Sequence, residues 1–199
     1  MLQALIVIDV QNDFCPNGAL AVEGGDQVVA PINALMAQFD AVVLTQDWHP
    51  ADHTSFADMH PNAAPYDLID MPYGPQVLWP RHCVIASDGA AFHPDLNAAR
   101  ADLILRKGFR PQIDSYSAFF ENDKRTQTGL HGYLTERGVL DLTLVGLATD
   151  FCVAYSALDA ARLDYRVTVH LDACRGIDLN GSMAAMIIAM QDAGIKVRG

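Results

Sequence analysis

The sequence predicts an α/β fold: a doubly wound, mostly parallel sheet with helices on both faces, three layers in all. Three observations carry this. Short apolar, β-branched runs of strand length recur along the chain, and continuous runs of that kind suit parallel strands covered on both faces. Longer stretches with helical patterning fall between them, and such alternation closes into a parallel sheet through right-handed crossovers. The chain has 199 residues, 51% of them hydrophobic, enough for one sizeable core and too apolar for disorder. No internal repeat, low-complexity tract or Gly/Ser linker interrupts it, so residues 1–199 read as one domain.

The elements follow in order. Leu5 to Asp9 reads as a first, buried strand. A helix over Gln27 to Gln38 leads to a second strand, Ala41 to Thr45. The stretch from Trp48 to Pro94 then breaks the rhythm, being rich in Pro, His, Asp and aromatics with little periodicity. A long structured insertion inside a domain usually serves function, and residues 48–94 read as a metal-binding insertion. Asp102 to Arg106 is a third strand. A helix over Thr128 to Arg137, stopped by Gly138, precedes a fourth strand, Leu142 to Gly146. Thr149 or Asp150 caps a helix running to about Leu163, and Arg166 to His170 is a fifth strand. The last helix starts at Asn180 or Ser182 and ends near Ala193, before a short sixth strand at Ile195 to Val197.

Composition excludes several functions. The net charge is −11 and no Lys/Arg run occurs, so the basic footprint of a nucleic-acid or anionic-membrane partner is missing. The first apolar run, Ala4 to Ile8, has no basic segment before it and is broken by Asp9, which argues against a signal peptide or a span of roughly 20 apolar residues. A cytoplasmic protein is the expectation. Its four cysteines, Cys15, Cys83, Cys152 and Cys174, form no CxxC pair and read as free thiols. There is no GxGxxG after the first strand, no P-loop and no GxSxG elbow, which points to a compact ligand lacking a phosphate.

In doubly wound sheets ligands bind beyond the carboxyl ends of the strands. Asp9, Asp47, Lys107 and Cys152 all fall there. Cys152 sits in the expected first turn of a helix, where the helix N-terminus and a nearby lysine lower a thiol pKa; Asp9 could take the thiol proton and later deliver it to a leaving amine. The alternative is a core thiol and a structural turn carboxylate. Asp47-Trp-His49, with His53, His60 and His82 nearby, offers a carboxylate and imidazoles to one ion, and Asp47, His49 and His82 suit Zn, Fe or Mn; the alternative is a set of exposed loop histidines. The Leu147–Cys152 backbone reads as an anion hole at a helix start or as an ordinary turn. Phe14, Trp79, Phe109, Tyr116 and Phe119 read as pocket lining or as core.

The chain resembles the nicotinamidases of the isochorismatase-like hydrolase superfamily over essentially its whole length. The carrying motifs are Ile8-Asp-Val-Gln-Asn-Asp-Phe14, Gln46-Asp-Trp-His-Pro-Ala-Asp-His53, Trp79-Pro-Arg-His-Cys83, Lys107-Gly108, Tyr116-Ser117, Gly146-Leu-Ala-Thr-Asp-Phe-Cys-Val153 and Asp172-Ala-Cys-Arg-Gly176. The Asp-x-His and the later His distinguish nicotinamidases from isochorismatase and carbamoylsarcosine amidase. The resemblance implies an isochorismatase-like fold and hydrolysis of nicotinamide to nicotinate and ammonia through a cysteine thioester, in NAD salvage, with pyrazinamide as a side substrate. It implies a catalytic triad of Asp9, Lys107 and Cys152. It implies one divalent metal, Zn first with Fe or Mn as alternatives, on Asp47, His49 and His82, with His53 or water completing the shell and the pyridine nitrogen held by the ion. It implies an oxyanion hole from the Ala148 and Cys152 amides, a cis Leu147–Ala148 peptide, and a ring pocket of Phe14, Leu20, Trp79 and Tyr116. A homo-oligomer is compatible with all of this. The alternatives are an amidase for another small amide, a flavodoxin-like binding module, and a zinc hydrolase in which Cys152 is structural.

Overall fold

The apolar runs pair side by side in the computed structural model, which describes residues 2–199. The strands are β1 (Gln3–Ile8), β2 (Ala41–Asp47), β3 (Leu68–Met71), β4 (Gly74–Val77), β5 (Leu103–Lys107), β6 (Asp141–Leu147), β7 (Arg166–Arg175) and β8 (Lys196–Arg198). Six of them form one sheet in the order β5-β2-β1-β6-β7-β8, with parallel pairing throughout. All six expected strands are present. β7 outruns its expected end at His170 and continues to Arg175, past a register shift against β6 between Leu144 and Gly146. The antiparallel β3–β4 hairpin inside the 48–94 segment was not expected from the sequence.

The helices are α1 (Val29–Met36), α2 (Leu130–Glu136), α3 (Ala154–Arg162) and α4 (Ser182–Asp192). The crossover through α1 runs from β1 one way along the sheet, and those through α3 and α4 run the other way. Right-handed crossovers therefore put α1 on one face and α3 and α4 on the opposite one. Two helix starts differ from expectation. α1 is preceded by a 3₁₀ turn over Gly25–Val28. The helix expected from Thr149 or Asp150 opens instead with a π-helical turn over Thr149–Val153, and neither side chain caps it.

The order reverses between β1 and β6, so a crevice opens beyond their carboxyl ends. Their backbones run very close: a Cβ on Gly146 would stand 2.2 Å from Ile8 O, and its φ of +115° suits glycine alone. The core is the two-sided cover of this sheet, with Leu5, Ile6, Ile8, Val42, Leu44, Leu144 and Val145 fully buried. Among the described residues no helix is long and apolar enough to cross a membrane.

Candidate active site

Strand register brings the polar ends together. Asp47 and Lys107 are direct partners across β2 and β5. β1 lies beside β2 and ends at Ile8, so Asp9 is the next residue out. Asp9 takes a left-handed conformation (φ 47°), tolerable for Asp, and Thr45 on the neighbouring strand fixes it: the Asp9 N–H donates to Thr45 Oγ1 at 3.1 Å, and the hydroxyl donates to Asp9 Oδ1 at 2.6 Å. On the other side β6 ends at Leu147, and the π-helical turn delivers Cys152. The Leu147–Ala148 peptide is cis, as the resemblance implied.

Lys107, wholly buried, is the hub. Its Nζ lies 2.8 Å from Asp9 Oδ2 and 3.0 Å from Asp47 Oδ1, donates to Ser115 O at 2.8 Å, and reaches Cys152 Sγ at 3.6 Å. Asp9 Oδ2 is thus held by the ammonium in a dry site. Burial raises the Asp9 pKa, and the attraction of Lys107 only partly offsets this. Burial also raises the Cys152 thiol well above its ordinary value; Lys107 pulls it down, while Asp9 and Asp47 push it further up. The sequence pointed the other way, to a lowered thiol pKa. Desolvation outweighs the single ammonium, so the resting sulfur is a thiol beside a strengthened base. The Phe151 and Val153 amides both donate to Ala148 O at 3.1 Å.

The second cluster is fitted for an ion. One ligand atom each from Asp47, His49 and His82 lie within 4.8 Å of one another, all three residues buried. His49 Nε2 and His82 Nε2 stand 3.1 and 3.5 Å from Asp47 Oδ2. The far ring nitrogens donate to backbone carbonyls, His49 Nδ1 to Gly108 O at 2.8 Å and His82 Nδ1 to Pro80 O at 2.7 Å. A carbonyl only accepts, so both Nδ1 atoms carry protons and both Nε2 lone pairs are free for a metal, the arrangement typical of ligating histidines. Gly108 is required here: at φ +69° its Cβ would stand 2.5 Å from His49 Cε1.

His53 lies outside this group. Its Nδ1 pairs with Ser55 Oγ at 2.8 Å and its Nε2 with Ile113 O at 3.3 Å, and it clusters with His49 and Asp114 instead. Burial pushes its pKa down to about 4, keeping it neutral. His60 donates to Thr54 O and serves the loop.

Beside Cys152 a small cleft is lined by Phe14, Leu20, Trp79, Tyr116, Ala148, Phe151 and Ile177, with Asp47, His82 and Asp114 as its polar members. The four ring-pocket residues expected from the resemblance are all here. Phe109 and Phe119 are not: Phe109 is 45% exposed, and Phe119 is buried against Tyr165. Phe151, Ile177 and Asp114 were missed. Phe151 meets Trp79 edge-on at 4.9 Å, and its place next to Cys152 was the available signal. Asp114 accepts from Gln76 Nε2 at 2.7 Å, and Gln76 also donates to Tyr116 Oη.

An α/β fold with this crevice, a Cys–Asp–Lys cluster and an adjoining Asp/His/His set defines a cysteine-hydrolase class of site. The chain belongs to the isochorismatase-domain family, whose profile matches residues 3–198. It is 53% identical to the nicotinamidase of Acinetobacter baylyi over 193 residues, 97% of this chain and 90% of that protein. The solved nicotinamidase/pyrazinamidase of Acinetobacter baumanii superposes with a TM-score of 0.97 at 53% identity, covering 98% of this chain and 95% of that one. The pyrazinamidase of Pyrococcus horikoshii, solved in complex with zinc, superposes with a TM-score of 0.80 at 32% identity, covering 99% and 98%.

Proposed function

We propose that this protein is a nicotinamidase, hydrolysing nicotinamide to nicotinate and ammonia, with pyrazinamide as a side substrate. The observation that carries the reading is the Lys107 ammonium in contact with Asp9, Asp47 and Cys152 at once. One buried cation thereby joins a nucleophile–base pair to a metal-ligand set, on the wall of a small aromatic cleft.

Asp47, His49 and His82 would hold a divalent cation, for which Zn suits the donor set first and Fe or Mn also. When bound, it supplies a Lewis-acidic point and a positive charge at the cleft, suited to a ring nitrogen. Phe14, Leu20, Trp79 and Tyr116 clamp the ring, which sets the carboxamide carbon before Cys152 Sγ. Asp9 takes the thiol proton as the sulfur attacks. The Ala148 and Cys152 amides hold the developing oxyanion. Asp9 returns the proton to the nitrogen, the C–N bond breaks, and ammonia leaves a thioester. Water then attacks the acyl carbon, losing a proton to Asp9; the C–S bond breaks as Asp9 returns that proton to the sulfur, and the nicotinic acid released ionises to nicotinate. Asp9 suits this shuttle because burial makes it a stronger base than an ordinary carboxylate. Lys107 holds Asp9 in place and bears the charge of both carboxylates.

The cellular role is return of nicotinamide to pyridine nucleotides. Four buried free thiols fit the reducing cytoplasm. The test is ammonia release from a panel of small amides. Nicotinamide is expected to turn over fastest, with pyrazinamide behind it; a better non-pyridine amide would favour a different amidase of the same family.

A further inference from the structure

Asp150 lies two residues before the sulfur, is 1% exposed, and caps nothing in its own turn. Its carboxylate reaches another segment altogether. Oδ1 accepts the Ile177 N–H at 2.9 Å, and Oδ2 accepts the Asp178 N–H at 2.8 Å together with the Ser182 hydroxyl. The segment it holds has little regular bonding of its own: Asp178, Asn180 and Gly181 are all left-handed, with φ of 56°, 54° and 84°. At its start, a Cβ on Gly176 would press on Met183 Sδ at 2.1 Å and on Asp150 Oδ1 at 3.0 Å. Ile177 itself lines the substrate cleft. One buried carboxylate therefore ties the turn that carries Cys152 to the segment that brings Ile177 to the cleft wall.

We propose that Asp150 is a positioning residue that sets substrate affinity by holding Ile177 against the ring, in register with the Cys152 turn. This rests on the nicotinamidase reading above. Two carboxylate oxygens offer about four acceptor sites and satisfy three donors at once. An Asn amide accepts on one oxygen only; with that oxygen at the Oδ2 position its NH₂ faces the Ile177 N–H, which loses its partner. The wall then loosens while the sulfur, Asp9 and Lys107 keep their own bonds. Such a loss removes binding shared by ground and transition states, which appears in KM rather than kcat.

The experiment is steady-state kinetics on nicotinamide for Asp150→Asn, Ile177→Ala, their combination and Ser182→Ala, with amide hydrogen exchange at Ile177 and Asp178. Asp150→Asn is expected to raise KM at least fivefold with kcat within threefold of wild type. The double variant is expected to raise it no further than the larger single change, because the two act through one contact. A kcat loss at unchanged KM, or multiplying KM effects, overturns the proposal. If Asp150→Asn does not fold, Ser182→Ala decides: KM up at least twofold at constant kcat supports the tie, and an unchanged KM overturns it. Wild-type protein inert on nicotinamide would defeat the nicotinamidase reading instead. The tie then stands or falls on exchange, expected at least tenfold faster at Ile177 and Asp178 in Asp150→Asn or, should that variant not fold, measurably faster in Ser182→Ala; unchanged protection overturns it.

Discussion

Lys107 has no charge to spare: its four contacts are two carboxylates, a carbonyl and a thiol, all in a dry site. It is held protonated because Asp47, Asp9 and Cys152 outweigh the burial that opposes its charge. Two residue-scale predictions follow from this cluster. Asp9→Asn keeps the shape but removes the proton shuttle from both half-reactions; general acid–base work is worth about 10²–10⁴-fold, and kcat/KM should fall by the upper part of that range. A variant within tenfold of wild type contradicts the role. For Lys107→Ala the sign comes from Cys152: burial raises the thiol, Lys107 lowers it, so removing the ammonium raises it further. Below the pKa the thiolate fraction falls tenfold per unit. Alkylation of Cys152 at a fixed, mildly alkaline pH should therefore slow, and superimposed pH profiles would sever Lys107 from the sulfur. These residues were legible because each ends or follows a readable strand. The direction of the pKa shifts was not, since it depends on how completely the distant 48–94 segment and the Ser115–Tyr116 loop exclude water.

At the scale of elements, the six parallel strands were legible because burial on both faces leaves continuous apolar runs, as in fully buried β2. The β3–β4 hairpin was not, because Leu68–Met71 and Gly74–Val77 are half exposed and carry Asp, Gly and Pro. The π-helical turn was equally hidden, because its residues have the composition of an ordinary helix start. Glycines at two strand ends allow close approach, and each predicts a cost. Gly146→Ala forces a Cβ onto Ile8 O at a left-handed φ, and should destabilise the fold by at least about 2 kcal/mol, read as a lower urea midpoint with an unchanged slope. Gly108→Ala drives a Cβ into His49; loss of an outer-shell support typically weakens metal affinity by about 10–100-fold, and a competition titration with a chelator would measure it. Unaltered affinity would mean that His49 does not bind the ion.

For the molecule as a whole, the reversal of strand order between β1 and β6 sets Asp9 on one side of a crevice and Cys152 on the other, and the insertion brings His82 into the cleft lining and His49 against Asp47. The strand ends foretold that rim; the insertion's path did not follow from its sequence, and with it the bonds of His53 to Ser55 and Ile113. Chelated protein, metal-free by elemental analysis, is expected to bind nicotinamide more weakly and to lose turnover, with both restored by added zinc. Unchanged kinetics would contradict the role given to Asp47, His49 and His82. The most direct test is nicotinamide turnover by Cys152→Ala, with circular dichroism confirming the fold. A fall of at least about 10³-fold is expected when a nucleophile is removed. Activity within tenfold of wild type would mean that Cys152 never carries the acyl group, and that the chemistry belongs to the metal cluster alone.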